Sequence, residues 1–387
     1  MDTEQRSRFL SDYSTAKQAI NAGVSVGRAK AASSVWEIWQ NYCADLGLDP
    51  FLEAIQDKVP ILQVFAQRVR SGKLASNGNP ILARSVEDYV RHVAQTFKSV
   101  GAPDPRMKEG CAKLDFRLTR LQAAWAKQDP PPHRVKPLPI QIIRLIASWA
   151  QESSQDAVKA TSDMIILAFF FLLRPGEYVD TNAESTPFTL ADVSLYTGDI
   201  YLNPATSSEL QLLAATRVTL TFTTQKNGVR GEVIGLCRSG HATVCPVLAA
   251  ARRVIYLRSH GAPPGTPLAR LFSASRITAS DITRTIRQAV TLLGVDLGFT
   301  PSDVSARSLR AAGANALLLS NVDPNIIRLI GRWKSDEMLR YLHVQAAPLM
   351  ADYARKMLQG GHYTLLPNEQ QPLPPQLIPD GNMVPLH

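Results

Sequence analysis

Five prolines fall within the twelve residues DPPPHRVKPLPI at 129–140. Proline has no amide hydrogen to donate, its ring clashes with the preceding helical turn, and it drives the residue before it out of the helical region. No helix or central strand runs through such a stretch, so the 387-residue chain divides there. Residues 1–130 read as one domain, 131–139 as a linker and 140–365 as a second domain. Residues 366–387 read as a flexible tail rich in proline and glutamine. Both domains are long enough to bury a core unaided.

Before the linker the periodicity is helical. In SSVWEIWQNYCADLG, Trp36, Trp39, Cys43 and Leu46 recur at helical spacing, with Ser34 as the expected cap and Gly47 as the stop. SVEDYVRHVAQTFKSVG repeats the design. Ser85 is its expected N-cap, Glu87 and Asp88 lie near the positive helix end, and Val90, Val93, Phe97 and Val100 share a face. ILQVFAQRVRSG reads as a helix between them, and a further helix spans about Leu114 to Gln128.

After the linker, QIIRLIASWAQESS and SDMIILAFFFLL read as buried helices. ADVSLYTGDIYLN and RVTLTFTTQKNGVRGEVIGL are rich in the valine, threonine, isoleucine and phenylalanine of strands. Asn227-Gly228 between two such runs predicts a hairpin turn, because both residues tolerate positive φ. Helices resume at CPVLAAARRVIYLRSHG, ASDITRTIRQAVTLLG, SARSLRAAGANALLLS and DPNIIRLIG. The expected fold class is mainly α with a small antiparallel β-sheet.

The chain carries 42 Lys+Arg against 33 Asp+Glu, a net charge of +9. Such a surplus favours polyanionic partners, nucleic acid first among them. No stretch approaches the ~18 apolar residues of a membrane span, and MDTEQRSRFL has no apolar signal-peptide core behind it. Four scattered cysteines (Cys43, Cys111, Cys237, Cys245) suit a reducing compartment. Cys237, His241 and Cys245 are evenly spaced but lack a fourth ligand, so they read as ordinary residues at a strand end and a helix start. The sequence holds no P-loop, no G-x-G-x-x-G after a strand, no G-x-S-x-G and no dense carboxylate cluster for Mg²⁺. No metal or cofactor is therefore expected, and the lack of an aromatic-rich RNP motif counts against a generic RNA-binding protein.

What remains is an ordered set of cations. Arg174 ends the apolar run FFFLLRPGEYV, where a guanidinium is costly without an anionic partner. Glu177 can hold it from behind. Lys226 stands beside the hairpin turn. Arg307 and Arg310 lie one helical turn apart near a helix N-terminus, so the spacing predicts that both face one anion. Trp333 and Tyr341 complete the set. Each also has a plain reading: an ion pair at 174 and 177, a solvated turn lysine, surface arginines, and a tyrosine packed on Met338 and Leu342. The joint occurrence favours a functional set.

That order, with SLRAAG from Ser308 and GRWKSDEMLRYL from Gly331, resembles the tyrosine recombinases of the phage-integrase family. It is most similar to those of eukaryotic mobile elements such as Cryptons and DIRS-like retroelements. The resemblance implies a helical core-binding domain followed by a catalytic domain. Arg174 then looks like the first arginine of the LRxxE motif with Glu177 as its acidic companion, Lys226 like the hairpin lysine, Arg310 like the arginine of H-x-x-R, and Tyr341 like the nucleophile. Two positions depart from the pattern. Arg307 occupies the H-x-x-R histidine position, and Arg332 aligns with the later His/Trp position, so either Trp333 fills that role through a one-residue shift or Arg332 fills it.

The implied chemistry is cutting and rejoining of double-stranded DNA through a 3′-phosphotyrosyl intermediate on Tyr341, without metal or ATP. Arg174 and Arg310 would stabilise the transition state, at about 3–4 kcal/mol per preorganised donor. Lys226 would protonate the departing 5′ oxygen, and Arg307 would be a third phosphate clamp. The resemblance also implies a homotetramer in the synaptic complex and a nuclear location. A catalytically silent DNA-binding protein of the same fold and a type IB-like topoisomerase are the alternatives.

Overall fold

The computed structural model describes residues 3–24, 26–75, 77–108, 113–131, 135–181, 186–223, 231–272, 276–294 and 296–333. Cys111, Lys226, the Asn227-Gly228 turn, Met338, Tyr341, Leu342 and the 366–387 tail lie outside them. Two compact units are present: residues 1–134 with 179–187, and residues 135–178 with 188–387. The main division falls inside the proline-rich stretch.

The first unit is helical: α1 (Thr3–Ala22), α2 (Val26–Asp45), α3 (Val59–Arg70), α4 (Ala83–Ser99) and α5 (Phe116–Gln128). Trp39, Tyr42, Phe65, Val90 and Phe97 are buried in its core. The polar tips of two of them are satisfied: the Trp39 indole donates to the Pro50 carbonyl at 2.8 Å and the Tyr42 hydroxyl to that of Ile61 at 3.1 Å. Gly47, at φ +66°, follows α2 as expected, but α2 begins at Val26, so Ser34 lies inside the helix and caps nothing. Ser85 likewise sits in the first turn of α4. The first amide of α4, on Ala83, donates instead to the carboxylate of Asp129 at 2.7 Å, a cap supplied from 46 residues away. Val90, Val93 and Phe97 are buried on one face, whereas Val100 is exposed beyond the helix end.

The second unit joins α6 (Ile140–Glu152), α7 (Asp156–Phe170), α8 (Pro175–Tyr178), β1 (Val193–Thr197), β2 (Ile200–Leu202), α9 (Glu209–Ala214), β3 (Arg217–Phe222), β4 (Glu232–Cys237), α10 (Pro246–Ser259), α11 (Ala279–Leu293), α12 (Ser308–Leu319) and α13 (Pro324–Ile330). It is mainly α with one small antiparallel sheet of order β2-β1-β3-β4. Strand β3 alternates, burying Val218, Leu220 and Phe222. Helix α7 runs through the middle, buried continuously from Ala160 to Phe169, with α6, α10, α11 and α12 packed around it. Its apolar run from Met164 to Phe169 follows from that position, since each buried large aliphatic or aromatic side chain contributes roughly 1.5–3 kcal/mol. Among the described residues no helix is long and apolar enough to cross a membrane.

Gly313 sets how closely α12 approaches α7. A Cβ there would stand 2.2 Å from the Phe169 carbonyl oxygen and 2.3 Å from Leu172 Cδ2. Gly313→Ala is therefore expected to lower stability by about 1–3 kcal/mol, seen as a melting temperature reduced by several degrees. Gly265→Ala, where a Cβ meets nothing within 4 Å, is the control and is expected to leave the melt unchanged.

Candidate active site

The site is built at the C-terminal end of α7. The last carbonyls of a helix lack intrahelical partners and carry the negative end of its dipole. Here the chain turns sharply at Leu172, which takes φ +51°, and the Leu173 amide donates back to the Ala168 carbonyl at 3.0 Å. Glycine usually occupies such a position, and a leucine there costs on the order of 1–2 kcal/mol. Its side chain offsets that cost by packing with Ala314, Ile327 and Trp333 in a buried cluster. Water is thereby kept from the carbonyls of Phe171 and Leu172, and two arginines satisfy them.

Arg310, on α12, is only 2% exposed. Its Nη1 donates to the Leu172 carbonyl and its Nη2 to the Gly331 carbonyl. The Trp333 ring lies 4.2 Å from the guanidinium carbon, a favourable cation–π distance. Trp333 reaches this place because Gly331 has no side chain: a Cβ there would sit 1.5 Å from the indole ring.

Arg332 follows at φ +57°, and its side chain is buried. Nη1 donates to the carbonyls of Phe171 at 3.2 Å and Ile330 at 2.9 Å. Nη2 donates to the Leu172 carbonyl at 3.3 Å and to Glu177 Oε2 at 3.1 Å. Its guanidinium stacks 3.8 Å over Phe222 of β3. Burial pushes its pKa down to about 10, with Glu177 opposing the shift, so the group stays cationic at neutral pH.

Glu177 is placed by its own turn. Arg174 precedes α8, Pro175 opens it, and Glu177 in its first turn reaches back to accept the Arg174 amide on Oε2 at 2.8 Å. Its Oε1 accepts from Arg174 Nη1, also at 2.8 Å. Arg174 keeps 26% of its side chain exposed, so it is the accessible edge of this cluster. Arg307 stands apart in character. It holds the N-cap position of α12, is exposed, and its amide donates to Ser305 Oγ at 3.3 Å. The expectation that Arg307 and Arg310 face one anion together meets a plain difference, since one is in solvent and the other in the core.

The structure thus brings Arg174, Glu177, Arg310, Arg332 and Trp333 together, while Lys226 and Tyr341 lie outside the described residues. The sequence reading missed the carbonyls of Phe171, Leu172 and Gly331 as acceptors, along with the Phe222 ring. The alternation of RVTLTF is a signal by which a buried Phe222 can be found, but a left-handed leucine leaves no sequence signal. Among the described residues, no group of three or more His, Cys, Asp or Glu side chains is arranged to hold a metal ion.

No family model matches the sequence and no curated protein does. Among solved structures, the chain is similar to a Tn1549 transposon integrase in complex with transposon right end DNA, at 14% identity and TM-score 0.45, covering 85% of this chain and 99% of that one. It is also similar to a lambda integrase dimer bound to a COC′ core site, at 14% and 0.46, covering 90% and 83%. XerA recombinase gives 13% and 0.36, covering 94% and 100%.

Removing the Arg310 guanidinium would strand the carbonyl of Gly331 and weaken the cap of α7. Arg310→Met, which keeps the apolar stem, is expected to lower unfolding free energy by about 1–3 kcal/mol in urea titrations. Arg284→Met, which breaks a solvent-exposed pair with Asp281, is expected to change it by no more than about 0.5 kcal/mol.

Proposed function

We propose that this chain is a site-specific DNA recombinase or integrase of the tyrosine type, cutting and rejoining strands through a phosphotyrosyl bond on Tyr341. The observation that carries the reading is the convergence at the end of α7. Arginines from LLRPGEY and GRW meet on one carboxylate, Glu177, and a third, from SLRAAG, shares the Leu172 carbonyl with Arg332. These are the segments in which the sequence resembles that family, and the cluster they form, with Glu177 and Glu232 as its carboxylates, is net cationic. A cluster with that surplus, edged by an accessible arginine, suits a phosphodiester.

In the proposed reaction Tyr341 loses its phenolic proton to water and its oxygen attacks phosphorus, forming an O–P bond as the P–O5′ bond breaks. Lys226 gives its proton to the departing 5′ oxygen. Arg174, partly exposed, and Arg307, exposed, bind the non-bridging oxygens, and Arg310 lies deeper and adds its charge to the field. The reverse attack by a 5′ hydroxyl reseals the strand, so the bond energy is conserved without ATP or metal. The substrate is double-stranded DNA, in line with the net charge of +9. The kinship to Crypton- and DIRS-like recombinases, the synaptic tetramer and the nuclear location belong to the same proposal.

The test uses the full chain and a pool of nicked duplexes with randomised sequence around the nick, so that a cleaved strand is lost and the adduct is trapped. Wild type is expected to retain DNA through SDS and denaturing washes, and Tyr341→Phe to retain none. Arg174→Ala is expected to slow adduct formation about 10²–10³-fold while duplex affinity stays within about threefold. An adduct that survives Tyr341→Phe overturns the assignment of the nucleophile. Duplex binding with no adduct indicates a DNA-binding protein without strand-cutting chemistry. Relaxation of plasmid without strand transfer between selected sites indicates a topoisomerase.

A further inference from the structure

Arginine at 332 is expensive. The residue takes φ +57°, where glycine or asparagine sits more easily, and its charge is withdrawn from water. The side chain must therefore do something that glycine would not. Its terminal nitrogens carry four hydrogens, two apiece, and four protein oxygens face them. Phe171 O and Ile330 O accept from Nη1, and Leu172 O and Glu177 Oε2 accept from Nη2. Both terminal nitrogens are thus engaged by the protein itself. One face of the plane is covered by the Phe222 ring at 3.8 Å. Arg332 is thus poorly placed to contact DNA, although it occupies the position from which a donor would be expected.

Its ion pair with Glu177 is informative. Glu177 shares its carboxylate between two cations, Arg332 on Oε2 at 3.1 Å and Arg174 Nη1 on Oε1 at 2.8 Å. The same Oε2 also takes the Arg174 amide. A carboxylate fixed on one side by a buried guanidinium cannot swing, and so holds the half-exposed Arg174 side chain in one orientation. We infer that Arg332 is a positioning residue: anchored on the end of α7, it fixes the Glu177 carboxylate and thereby aims Arg174 at the substrate phosphate. Trp333 packs on Arg310 and Gly331. The inference rests on the recombinase reading for its consequence and on the cluster geometry for its mechanism.

The mechanism makes the two links of the relay redundant once either is broken. Glu177→Gln, Arg332→Gln and the double variant are compared with the wild-type full chain in two measurements. The first needs no DNA: hydrogen exchange at the Arg174 side chain, its resonance assigned with Arg174→Lys. Exchange is expected to quicken about tenfold or more in each single variant and no further in the double. The second is the adduct rate on the nicked-duplex pool, expected to fall about 10²-fold in each single variant and by about the same factor in the double. Duplex affinity is expected to stay within about threefold.

Adduct losses that multiply in the double variant, or an Arg174 resonance that Arg332→Gln leaves unmoved, overturn the inference. A wild-type chain with the coupled Arg174 signal but no adduct refutes the recombinase reading and leaves the relay standing. Should Arg332→Gln fail to fold, Arg332→Lys carries the test. It keeps the charge and lacks the planar fork, and it is expected to show the same non-additivity with Glu177→Gln.

Discussion

The closing of α7 against water is the constraint from which the second unit follows. A helix buried from Ala160 to Phe169 delivers the negative end of its dipole, and the carbonyls of Phe171 and Leu172, into the interior. Left alone each such carbonyl costs about 1–3 kcal/mol, and no water can reach them. Two guanidinium groups meet that need, Arg310 from α12 and Arg332 from the turn after α13. Burying those charges is itself costly. The cost is offset by the helix dipole, by Glu177, and by ring faces: Trp333 over Arg310 and Phe222 over Arg332. Every one of these contacts ties a distant segment to the end of one helix. A site assembled in this way is rigid because the fold requires it, and preorganisation of this kind is what electrostatic catalysis demands.

The helical first unit uses the same device on its surface. Asp129, just after α5, caps α4 through the Ala83 amide and pairs with Arg70 on α3 at 2.5 Å. Asp115 caps α5 through the Arg117 amide, and the Arg117 side chain bridges Asp115 and Asp57. Those bonds hold the carboxyls of Asp57 and Asp115 below their usual range. One helix start here is closed by its own N-cap aspartate and another by a carboxylate remote in sequence, over an apolar centre of Trp39, Tyr42 and Phe65.

That habit explains where sequence reasoning succeeded and where it did not. The apolar run of α7, the strand composition of β3 and the proline break were legible, because burial and missing amide hydrogens act through local composition. The caps were not. Ser34 and Ser85 had the right chemistry for a cap, but α2 begins a full two turns earlier and Asp129 claims the start of α4. The motif segments around Arg174, Arg310 and Arg332 were legible as a set. Their arrangement was not, since it turns on a leucine forced to positive φ and on backbone carbonyls, which no side-chain pattern reports. For the same reason the choice between Arg332 and Trp333 stayed open in the sequence. Only the geometry separates an arginine bonded to Glu177 from a tryptophan stacked on Arg310.

The composition of the cluster also limits what it can do with protons. Arginine does not release its proton in the neutral range, and even Arg332, pushed down to about 10 by burial, stays charged there. A histidine at position 307 could have taken a proton from a phenol; an arginine cannot. The cluster can therefore act only by its field, which favours a phenolate over a phenol and an anionic transition state over its neutral precursor. In the proposed reaction that confines proton transfer to Tyr341, Lys226, the DNA and water. In that proposed reaction the net positive charge of the cluster would replace a general base by making the deprotonated nucleophile cheaper to form.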